Sequence, residues 1–245
     1  MRSTLECMPC FLRQTLEAAR MATEDPALQE RILREVMKLT AEMDLSVTPP
    51  AMGRRVHQIV RELAETPDPY HQVKQRYNRM ALRRLPELKA KVESASNPLK
   101  AAVQLAIAGN IIDFGVDGEL TDQKVEDTIE RAMHQDIDGP TLRQLEAEIQ
   151  KARSILYLGD NAGEIVFDRL LLEQMPAEKV VFAVKGSPII NDATLDDAEQ
   201  AGLTDLVRVI ENGSNAPGTI VEECSPAFQE IFESADLIVA KGQGN

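Results

Sequence analysis

The sequence predicts an α/β protein in which an all-helical domain (residues 1–95) precedes a three-layer α/β/α domain (residues 96–245) with a mostly parallel sheet. Three observations support this prediction. Apolar residues follow helical spacing from Thr4 to about Leu120, whereas short apolar, β-branched runs alternate with helical segments after Arg153. The second pattern is typical of parallel strands covered by helices on both faces. The length of 245 residues accommodates a small helical domain joined to a mid-sized sheet domain.

In the first half, apolar residues lie three and four positions apart, which places them on one face of a helix. Helix-breaking stretches separate these segments, among them TPP at 48–50 and TPDP at 66–69. Two further helical segments lead into the second half. In chain order the predicted helices contain LQERILREVMKL, MGRRVHQIVREL, YHQVKQRYNRMALRRL, NPLKAAVQLAIAGNIIDFG, TDQKVEDTIERAM and PTLRQLEAEIQKA.

In the second half, strand segments alternate with helical segments. The strands lie in SILYLGDN, KVVFAVKG, LVRVIENG and ADLIVAKGQGN, and the helices in EIVFDRLLLEQM, TLDDAEQAG and VEECSPAFQEIFES. We interpret this half as a doubly wound sheet. In such sheets ligands bind outside the carboxyl ends of the strands, so the residues after each strand are candidates for a functional site.

Composition and charge argue against several classes of protein. The formal net charge of −13 disfavours nucleic-acid binding, which requires a basic surface. No stretch approaches the roughly 18 consecutive apolar residues of a membrane span, and the N-terminus lacks the apolar centre of a secretion signal. Three cysteines are too few for a disulfide scaffold. We therefore expect a cytoplasmic protein with no nucleic-acid or membrane partner, and the sequence does not indicate its oligomeric state.

Oxygen-bearing side chains follow the first two strands. Asp160 and Asn161 come directly after the first strand, and Asp192 lies in the loop after the second. Such oxygens are hard ligands suited to Mg²⁺, Mn²⁺ or a similar cation, and three of them make part of an octahedral shell. We therefore predict a site for one divalent cation. The alternative is that these residues are ordinary turn residues and helix caps.

Lysines and glycines follow the strands as well. Lys185 and Lys241 are compact charges of the kind that hold phosphate oxygens, and Gly186, Gly242 and Gly244 allow backbone N–H groups to approach an anion. A cation combined with lysines suits phosphoryl chemistry, in which charge neutralisation and positioning do most of the work. For hydrolysis the cation would also lower the pKa of a bound water. The expected partner is a small-molecule phosphate ester.

Several of these strings together resemble one known family. GDNAGEIVFD, KGSPIINDAT and ADLIVAKGQGN, with NPLKAAVQLAIAGNIID and CMPCFLRQ upstream, resemble the DUF89 family, also called the damage-control phosphatase or ARMT1-like family. Short stand-alone members from archaea and bacteria are the most similar branch. The resemblance covers essentially the whole chain. It implies a phosphatase that depends on one divalent cation (Mn, Co, Ni or Mg) and hydrolyses small phosphometabolites such as sugar phosphates or related phosphomonoesters.

The resemblance also implies roles for individual residues. The family holds its metal with an Asp-Asn pair and a further Asp, which correspond to Asp160, Asn161 and Asp192 in this sequence. A glutamate near the pair, matched here by Glu164, belongs to the family's pocket. We therefore expect Asp160, Asp192 and Glu164 to act in catalysis.

The remaining expected site residues contact phosphate or orient the attacking water. Lys185 and Lys241 match the family's lysines after two strands, and Asn245 ends the last loop motif. Asn110 and Asp113 match an Asn and an Asp on the helix that enters the second domain, where residues three apart share a face. We expect Asn110, the two lysines and Asn245 to bind phosphate, and Asp113 to act in catalysis. The alternative for Asn110 and Asp113 is that they cap local backbone.

One departure from the family pattern concerns the end of the chain. The sequence stops at Asn245, directly after the last loop motif, whereas members of the family continue with another helix and strand. We therefore expect an uncovered sheet edge and an incomplete pocket. Two other functions stay open: an S-adenosylmethionine-dependent carboxyl methyltransferase, whose cosubstrate the last Gly-x-Gly would hold, and a non-catalytic metabolite- or metal-binding protein.

The cysteine pair and the histidines carry weaker signals. Cys7 and Cys10 are separated by two residues, a spacing that suits zinc binding, redox chemistry or simple packing on the first helical turn. His57, His71 and His134 lie in no recognisable catalytic string. A Gly-x-Ser-x-Gly elbow and a P-loop are both absent from the sequence, so esterase and nucleoside triphosphatase chemistry have little support.

Overall fold

A computed structural model describes residues 2–111 and 122–245. In these ranges the chain forms ten α-helices, four β-strands and two short 3₁₀ helices, at Ala177–Lys179 and Val221–Glu223. The helices are α1 (Cys7–Ala22), α2 (Pro26–Ala41), α3 (Pro49–Ala64), α4 (His71–Glu93), α5 (Pro98–Ile111), α6 (Asp122–His134), α7 (Gly139–Lys151), α8 (Glu164–Leu172), α9 (Leu195–Gln200) and α10 (Pro226–Ser234). The strands are β1 (Ile155–Leu158), β2 (Val180–Val184), β3 (Arg208–Glu211) and β4 (Leu237–Ala240).

Polar residues followed by proline set several helix starts. Thr48 precedes Pro49, and its side chain accepts a hydrogen bond from the Ala51 amide at the start of α3. The same arrangement begins α2, where the Asp25 side chain accepts from Ala27 N. A capping oxygen satisfies a backbone N–H that has no partner in the helix, and proline at the first turn forfeits no hydrogen bond. The sequence punctuation therefore predicts these boundaries well.

Helix α4 extends beyond the segment that the sequence predicts. The pattern indicates a helix up to Leu85, whereas α4 continues through Pro86 to Glu93. An interior proline costs a helix about 3 kcal/mol. Leu88 and Val92, which come after it, are buried in the main core, and burying an aliphatic side chain contributes about 1.5–3 kcal/mol. Tertiary packing thus offsets the local penalty.

The sheet has the strand order β3-β2-β1-β4, and all pairs in the described residues are parallel. Ile155 of β1 lies opposite Val180 of β2 on one side and opposite Leu237 of β4 on the other. The chain moves outward from β1 through β2 to β3 and then returns to the other side of β1 for β4. The strand order therefore reverses between β1 and β4, where open α/β sheets form their ligand crevice.

Helices cover both faces of the sheet. Ile155, Tyr157 and Phe182 face a large core that includes buried residues of α4, α5 and α8. Leu156 and Ala183, on the opposite face, belong to a second cluster formed with residues of α10. The predicted three-layer α/β/α arrangement with a parallel sheet is confirmed. Strand β4 lies at an edge of the described sheet.

The helices of the first half contribute to three hydrophobic cores. Helices α1, α2 and α3 pack on one another, and Ile190 from the loop after β2 packs against them. Helix α4 instead contributes Tyr77 and Ala81 to the core of the sheet. The domain boundary at residue 95 stays a prediction, because α4 lies before this boundary yet packs with helices and strands that lie after it. No helix in the described ranges is long and apolar enough to span a bilayer.

Candidate active site

The loops after β1 and β2 are joined by backbone hydrogen bonds. Ala193 N donates to Asp160 O at 2.7 Å, and Asn161 pairs with Asp192 in an isolated antiparallel bridge. Gly163 N donates to the buried Asn78 side chain at 2.7 Å, which ties the first loop to α4. This pairing places the predicted metal ligands Asp160, Asn161 and Asp192 next to one another at the carboxyl end of the sheet.

The two aspartates lie in an environment with an excess of negative charge. Burial raises the pKa of Asp160 to about 8, and the carboxylates of Asp192 and Glu164 add to the shift. Burial also raises the pKa of Asp192 to about 6, although the Lys185 ammonium opposes this change. The Asn161 amide nitrogen donates to Asp160 Oδ2 at 2.8 Å and to Glu164 Oε2 at 3.0 Å. Two lysines, Lys185 beside Asp192 and Lys241 beside Glu164, face these three carboxylates, which leaves an excess of one negative charge when all three are ionised.

These residues fit a divalent cation. The Asp192 Oδ2 atom is buried and has no hydrogen-bond partner in the described part of the chain. The set of two carboxylates and one amide supplies the hard oxygens that Mg²⁺ and Mn²⁺ prefer. Within residues 2–111 and 122–245, no group of three or more His, Cys, Asp or Glu side chains is placed to hold a metal ion. Ligation by Asp160, Asn161 and Asp192 therefore stays a prediction that this chemistry supports.

Glycine at position 242 is required by the site. Gly242 has φ +77°, a conformation that L side chains rarely adopt, and an added Cβ would overlap the Asp160 carboxylate. The chain that leaves β4 therefore passes directly against the first metal-ligand candidate. A side chain at this position would displace Asp160 from the cluster.

Lys241 lies beneath the site and is fully engaged by protein atoms. Its Nζ donates to Glu164 Oε1 and Asp168 Oδ1, both at 2.7 Å, and to Ala106 O at 3.0 Å. An ammonium has three N–H donors, so none is left for a ligand. Burial acts to lower the pKa of Lys241, but the Asp168 and Glu164 carboxylates raise it above its ordinary value. Asp168 also accepts from Tyr157 OH at 2.8 Å, and both residues are fully buried.

Lys185 is engaged in a similar way. Its Nζ donates to Gly218 O at 2.7 Å and to Asn245 Oδ1 at 3.1 Å, and it lies 3.5 Å from Asp192 Oδ2. Asn245 in turn donates from Nδ2 to Gly159 O at 3.0 Å. Asn245 therefore ties the end of β4 to the end of β1. The phosphate-binding roles expected for Lys185, Lys241 and Asn245 stay predictions, and in this arrangement all three bind protein atoms.

The helix that enters the second half also reaches the site. Asn110 lies in the last turn of α5, and its Nδ2 donates to Glu164 Oε1 at 3.1 Å and Oε2 at 3.3 Å. Glu164 is completely buried and thus accepts from Asn110, Asn161 and Lys241. Asp113, which we expected on the same helix face, lies outside the described residues.

A pocket of about 510 Å³ opens above this cluster. One side, here called the sheet wall, is built by Asn110 and by the loops 159–164, 185–193, 217–218 and 241–245, each of which contributes residues to the lining. The other side, the helical wall, comprises the face of α1 that carries Arg13, Gln14 and Glu17, together with Tyr70. From the sequence we expected the helical domain to form a wall of the pocket, but no sequence pattern assigned a role to the individual residues of this wall. The full lining is Arg13, Gln14, Glu17, Tyr70, Asn110, Asp160, Asn161, Ile190, Asn191, Asp192, Pro217, Gly218, Gly242, Gln243 and Gly244.

The cysteines and the buried histidine lie near the helical wall. Cys7 and Cys10 are partly exposed free thiols, and Cys10 Sγ accepts from Gln14 Nε2 at 3.6 Å. His57 of α3 is buried and contacts Tyr70 edge to face, with ring centroids 6.1 Å apart. Cys10 and Gln14 both belong to the N-terminal CMPCFLRQ string, and Gln14 lines the pocket.

The fold is an α/β/α protein with a parallel sheet, and a carboxylate-rich pocket lies at the switch point, where such sheets commonly bind small molecules. The comparison with known families is more specific. The profile described as "Damage-control phosphatase ARMT1-like domain" matches residues 3–245. The chain belongs to this family, which is also known as DUF89, and the resemblance seen in the sequence is confirmed.

Relatives from three archaea are similar over nearly the full chain. A damage-control phosphatase of Archaeoglobus fulgidus is 35% identical over 98% of this chain and 84% of its own length. One of Pyrococcus horikoshii is 33% identical over 100% of this chain and 85% of its own. A Methanocaldococcus jannaschii protein described as uncharacterised is 38% identical over 98% and 81%. The crystal structure of a DUF89 family protein from P. horikoshii, 33% identical, superimposes with a TM-score of 0.88 over 100% of this chain and 86% of that one.

Proposed function

We propose that this protein is a divalent-metal-dependent phosphatase that hydrolyses small phosphate esters. The observation that carries the proposal is the convergence of Asp160, Asn161 and Asp192 from two paired loops at the switch point of the sheet. Family membership supports it, since relatives in A. fulgidus and P. horikoshii are named damage-control phosphatases. The fold alone would not suffice, because similar sheets carry many activities.

Asp160, Asn161 and Asp192 would hold the cation. When bound, such a cation neutralises charge on phosphate oxygens and lowers the pKa of a water molecule. Both Glu164 oxygens accept hydrogen bonds from protein donors, so Glu164 sets the directions of Asn161 and Asn110. Lys241 holds Glu164 in place from below. We expected Glu164 or Asp113 to orient the water, and the engagement of Glu164 now favours Asp113.

The pocket suits a small substrate. Its volume of about 510 Å³ lies within the roughly 300–1,000 Å³ of small-molecule sites. Carboxylates on its walls disfavour an anion unless cations are present, which is consistent with a metal-bound phosphate group. We propose sugar phosphates or related phosphomonoesters as the substrate class. A panel of phosphate esters assayed with Mg²⁺, Mn²⁺, Co²⁺ and Ni²⁺ would identify both the substrate and the preferred ion.

Replacing Asp160 tests the proposal. We expect Asp160→Ala to lower turnover of 4-nitrophenyl phosphate with added Mn²⁺ or Co²⁺ by at least about 100-fold, the scale seen when one group that stabilises the transition state is removed. Asp205→Ala is the matched control, because Asp205 is exposed and outside the pocket. Undiminished turnover by Asp160→Ala would refute the assignment.

The methyltransferase alternative depends on the last Gly-x-Gly cradling a cosubstrate. In the structure an added Cβ at Gly242 would meet the Asp160 carboxylate and one at Gly244 would meet Gly218, so both glycines serve close packing within the protein. This packing favours the phosphatase. Titration with S-adenosylmethionine in the absence of metal separates the two proposals, since only a methyltransferase is expected to bind it. Tight metabolite binding without turnover would indicate a non-catalytic protein.

A further inference from the structure

The lysines that the sequence predicts for phosphate binding are both held by protein acceptors. Lys241 donates to two carboxylates and a carbonyl, and Lys185 donates to a carbonyl and an amide while facing Asp192. A phosphate ester that enters the pocket would still meet the carboxylates of Asp160 and Asp192. Some other cationic side chain is needed to neutralise the phosphate oxygens that the metal does not contact.

The helical wall supplies such a side chain. Arg13 lies on the exposed face of α1 and lines the same pocket as Asp160 and Asp192. Among the pocket-lining residues that the structure describes, Arg13 is the only lysine or arginine. No carboxylate, carbonyl or amide of the described ranges engages its guanidinium through a hydrogen bond or ion pair. Its five N–H donors are therefore available to a ligand.

Packing of α1 fixes the backbone at Arg13, although the Arg13 side chain is exposed. Phe11 and Ala18, which flank it on the opposite face of α1, are buried in the cores shared with α2 and α3. Gln14, the next residue, is held by Cys10 at 3.6 Å and also lines the pocket. The helix backbone thus presents two neighbouring polar side chains to the cavity. Only one of them, Arg13, carries a charge.

The chemistry of arginine matches a phosphate group. A guanidinium is always protonated and offers forked donors that bind two phosphate oxygens at once. An unpaired arginine opposite a cluster of carboxylates also lowers the electrostatic barrier to an entering dianion. A surface arginine with only a solubilising role would not need to face a pocket lined by Asp160, Asn161 and Asp192.

We infer that Arg13 binds the phosphate group of the substrate from the helical wall. This inference rests on the proposed phosphatase function and deepens it. It assigns a substrate-binding role to the CMPCFLRQ string, in which Cys10 positions Gln14 beside Arg13.

Binding of inorganic phosphate tests the inference without requiring turnover. Phosphate affinity would be measured by calorimetry with Mn²⁺ present for the wild type, Arg13→Gln, Arg13→Lys and the control Arg20→Gln. Arg20 lies on the same helix, is exposed and lines a different pocket. We expect Arg13→Gln to weaken phosphate binding about tenfold, on the scale of one charge-assisted hydrogen bond. Arg13→Lys should recover part of the loss, and Arg20→Gln should match the wild type.

Kinetics and metal binding complete the test. In Arg13→Gln the KM for 4-nitrophenyl phosphate should rise about tenfold, as does the dissociation constant of phosphate, while Mn²⁺ affinity and the unfolding temperature stay at wild-type values. Wild-type phosphate affinity in Arg13→Gln would overturn the inference, as would the absence of phosphate binding by the wild type. Failure of the proposed function gives a different result: the wild type binds phosphate through Arg13 but hydrolyses no ester with any of the four ions.

Discussion

The two walls of the pocket are built on opposite principles. On the sheet wall, Glu164 and Lys185 are at most 2% exposed, and each of their polar atoms contacts a protein partner. On the helical wall, Arg13 is exposed and lacks a partner in the described ranges, and only the backbone of α1 is fixed by packing. The comparison separates two tasks. Under the proposed function, the sheet wall is preorganised to hold a cation, whereas the helical wall leaves the charge of Arg13 available to a ligand.

The difference has an energetic cause. Buried charges lose their hydration, so they are tolerated only when partners compensate each of them. The sheet wall therefore couples function to stability, because Glu164, Asp168 and Lys241 hold both the site and the fold together. An exposed arginine keeps its hydration and costs little. We expect substitutions of the buried charged residues on the sheet wall to destabilise the protein, and substitutions of the exposed Arg13 on the helical wall to alter binding alone.

The largest stability loss is expected from Lys241→Met. This change removes the cation between Glu164 and Asp168 and leaves two buried carboxylates without their charge partner. Breaking such a buried pair costs about 3–5 kcal/mol. Urea denaturation measures the free energy of unfolding. The matched control is Lys100→Met, because Lys100 pairs with the highly exposed Asp136 and should change stability by less than about 1 kcal/mol. Equal losses in the two variants would contradict the coupling of site and fold.

The second prediction concerns pH in the absence of metal. The pKa of Asp160 rises from its ordinary 3.8 to about 8 in the folded protein. Between these values the folded state binds a proton that the unfolded state does not. This extra proton on Asp160 stabilises the folded state. The stabilisation is fully present below about pH 4 and is lost as the pH rises through 8. The free energy of unfolding in a chelator should therefore fall from pH 5 to pH 7 by up to about 1.4 kcal/mol per pH unit.

Two comparisons sharpen this pH prediction. Asp160→Asn should flatten the pH dependence, because its amide does not titrate, whereas Asp205→Asn at the exposed control position should leave it unchanged. Saturating Mn²⁺ should restore stability at pH 7, because the cation favours the ionised carboxylates. Parallel pH profiles for the wild type and Asp160→Asn would show that the crowding of carboxylates on the sheet wall has no effect on stability.

A third prediction separates backbone strain from disruption of the site. Gly242 and Gly202 both have positive φ, so alanine at either position should cost about 1–2 kcal/mol. At Gly242 the new methyl group overlaps Asp160, whereas at Gly202 it meets only the far end of the Arg169 side chain. We expect similar losses of thermal stability but a loss of Mn²⁺ binding in Gly242→Ala alone. Loss of Mn²⁺ binding in Gly202→Ala as well would mean that global strain, and not the site, is responsible.

The sheet wall was predictable because simple rules govern it. Apolar runs identify the strands, parallel strands bring their carboxyl ends to one edge, and polar residues there meet. Asp160, Asn161 and Asp192 were predicted as site residues on this basis, whereas Asn110 was predicted from the family resemblance. These rules do not predict the direction in which each lysine side chain points. Lys241 follows a strand just as a ligand-binding lysine does, but the buried Asp168 on α8 engages it.

The helical wall was not predictable by the same means. Arg13, Gln14 and Glu17 form an ordinary polar helix face, which in most helices is simply exposed to solvent. Only the packing of α1 against α2 and α3, together with the position of Ile190, shows that this face borders a pocket. The one usable signal was the presence of Arg13 and Gln14 in the CMPCFLRQ string. That string indicates relationship to a family but not geometry.

The smallest expected effect lies behind the helical wall. His57 is buried, its Nε2 has no hydrogen-bond partner among the described residues, and burial lowers its pKa from 6.5 to about 4. Since the unfolded state binds a proton between these values and the folded state does not, stability is lost as the pH falls through this window. His57→Leu should thus raise the free energy of unfolding by about 1 kcal/mol at pH 7 and by more at pH 5.

His71→Leu, at an exposed histidine, is the control and should show no pH-dependent gain. A His57→Leu gain that is equal at both pH values would mean that packing, and not the charge state of the buried imidazole, limits stability there. No gain would mean that the buried imidazole does not lower stability.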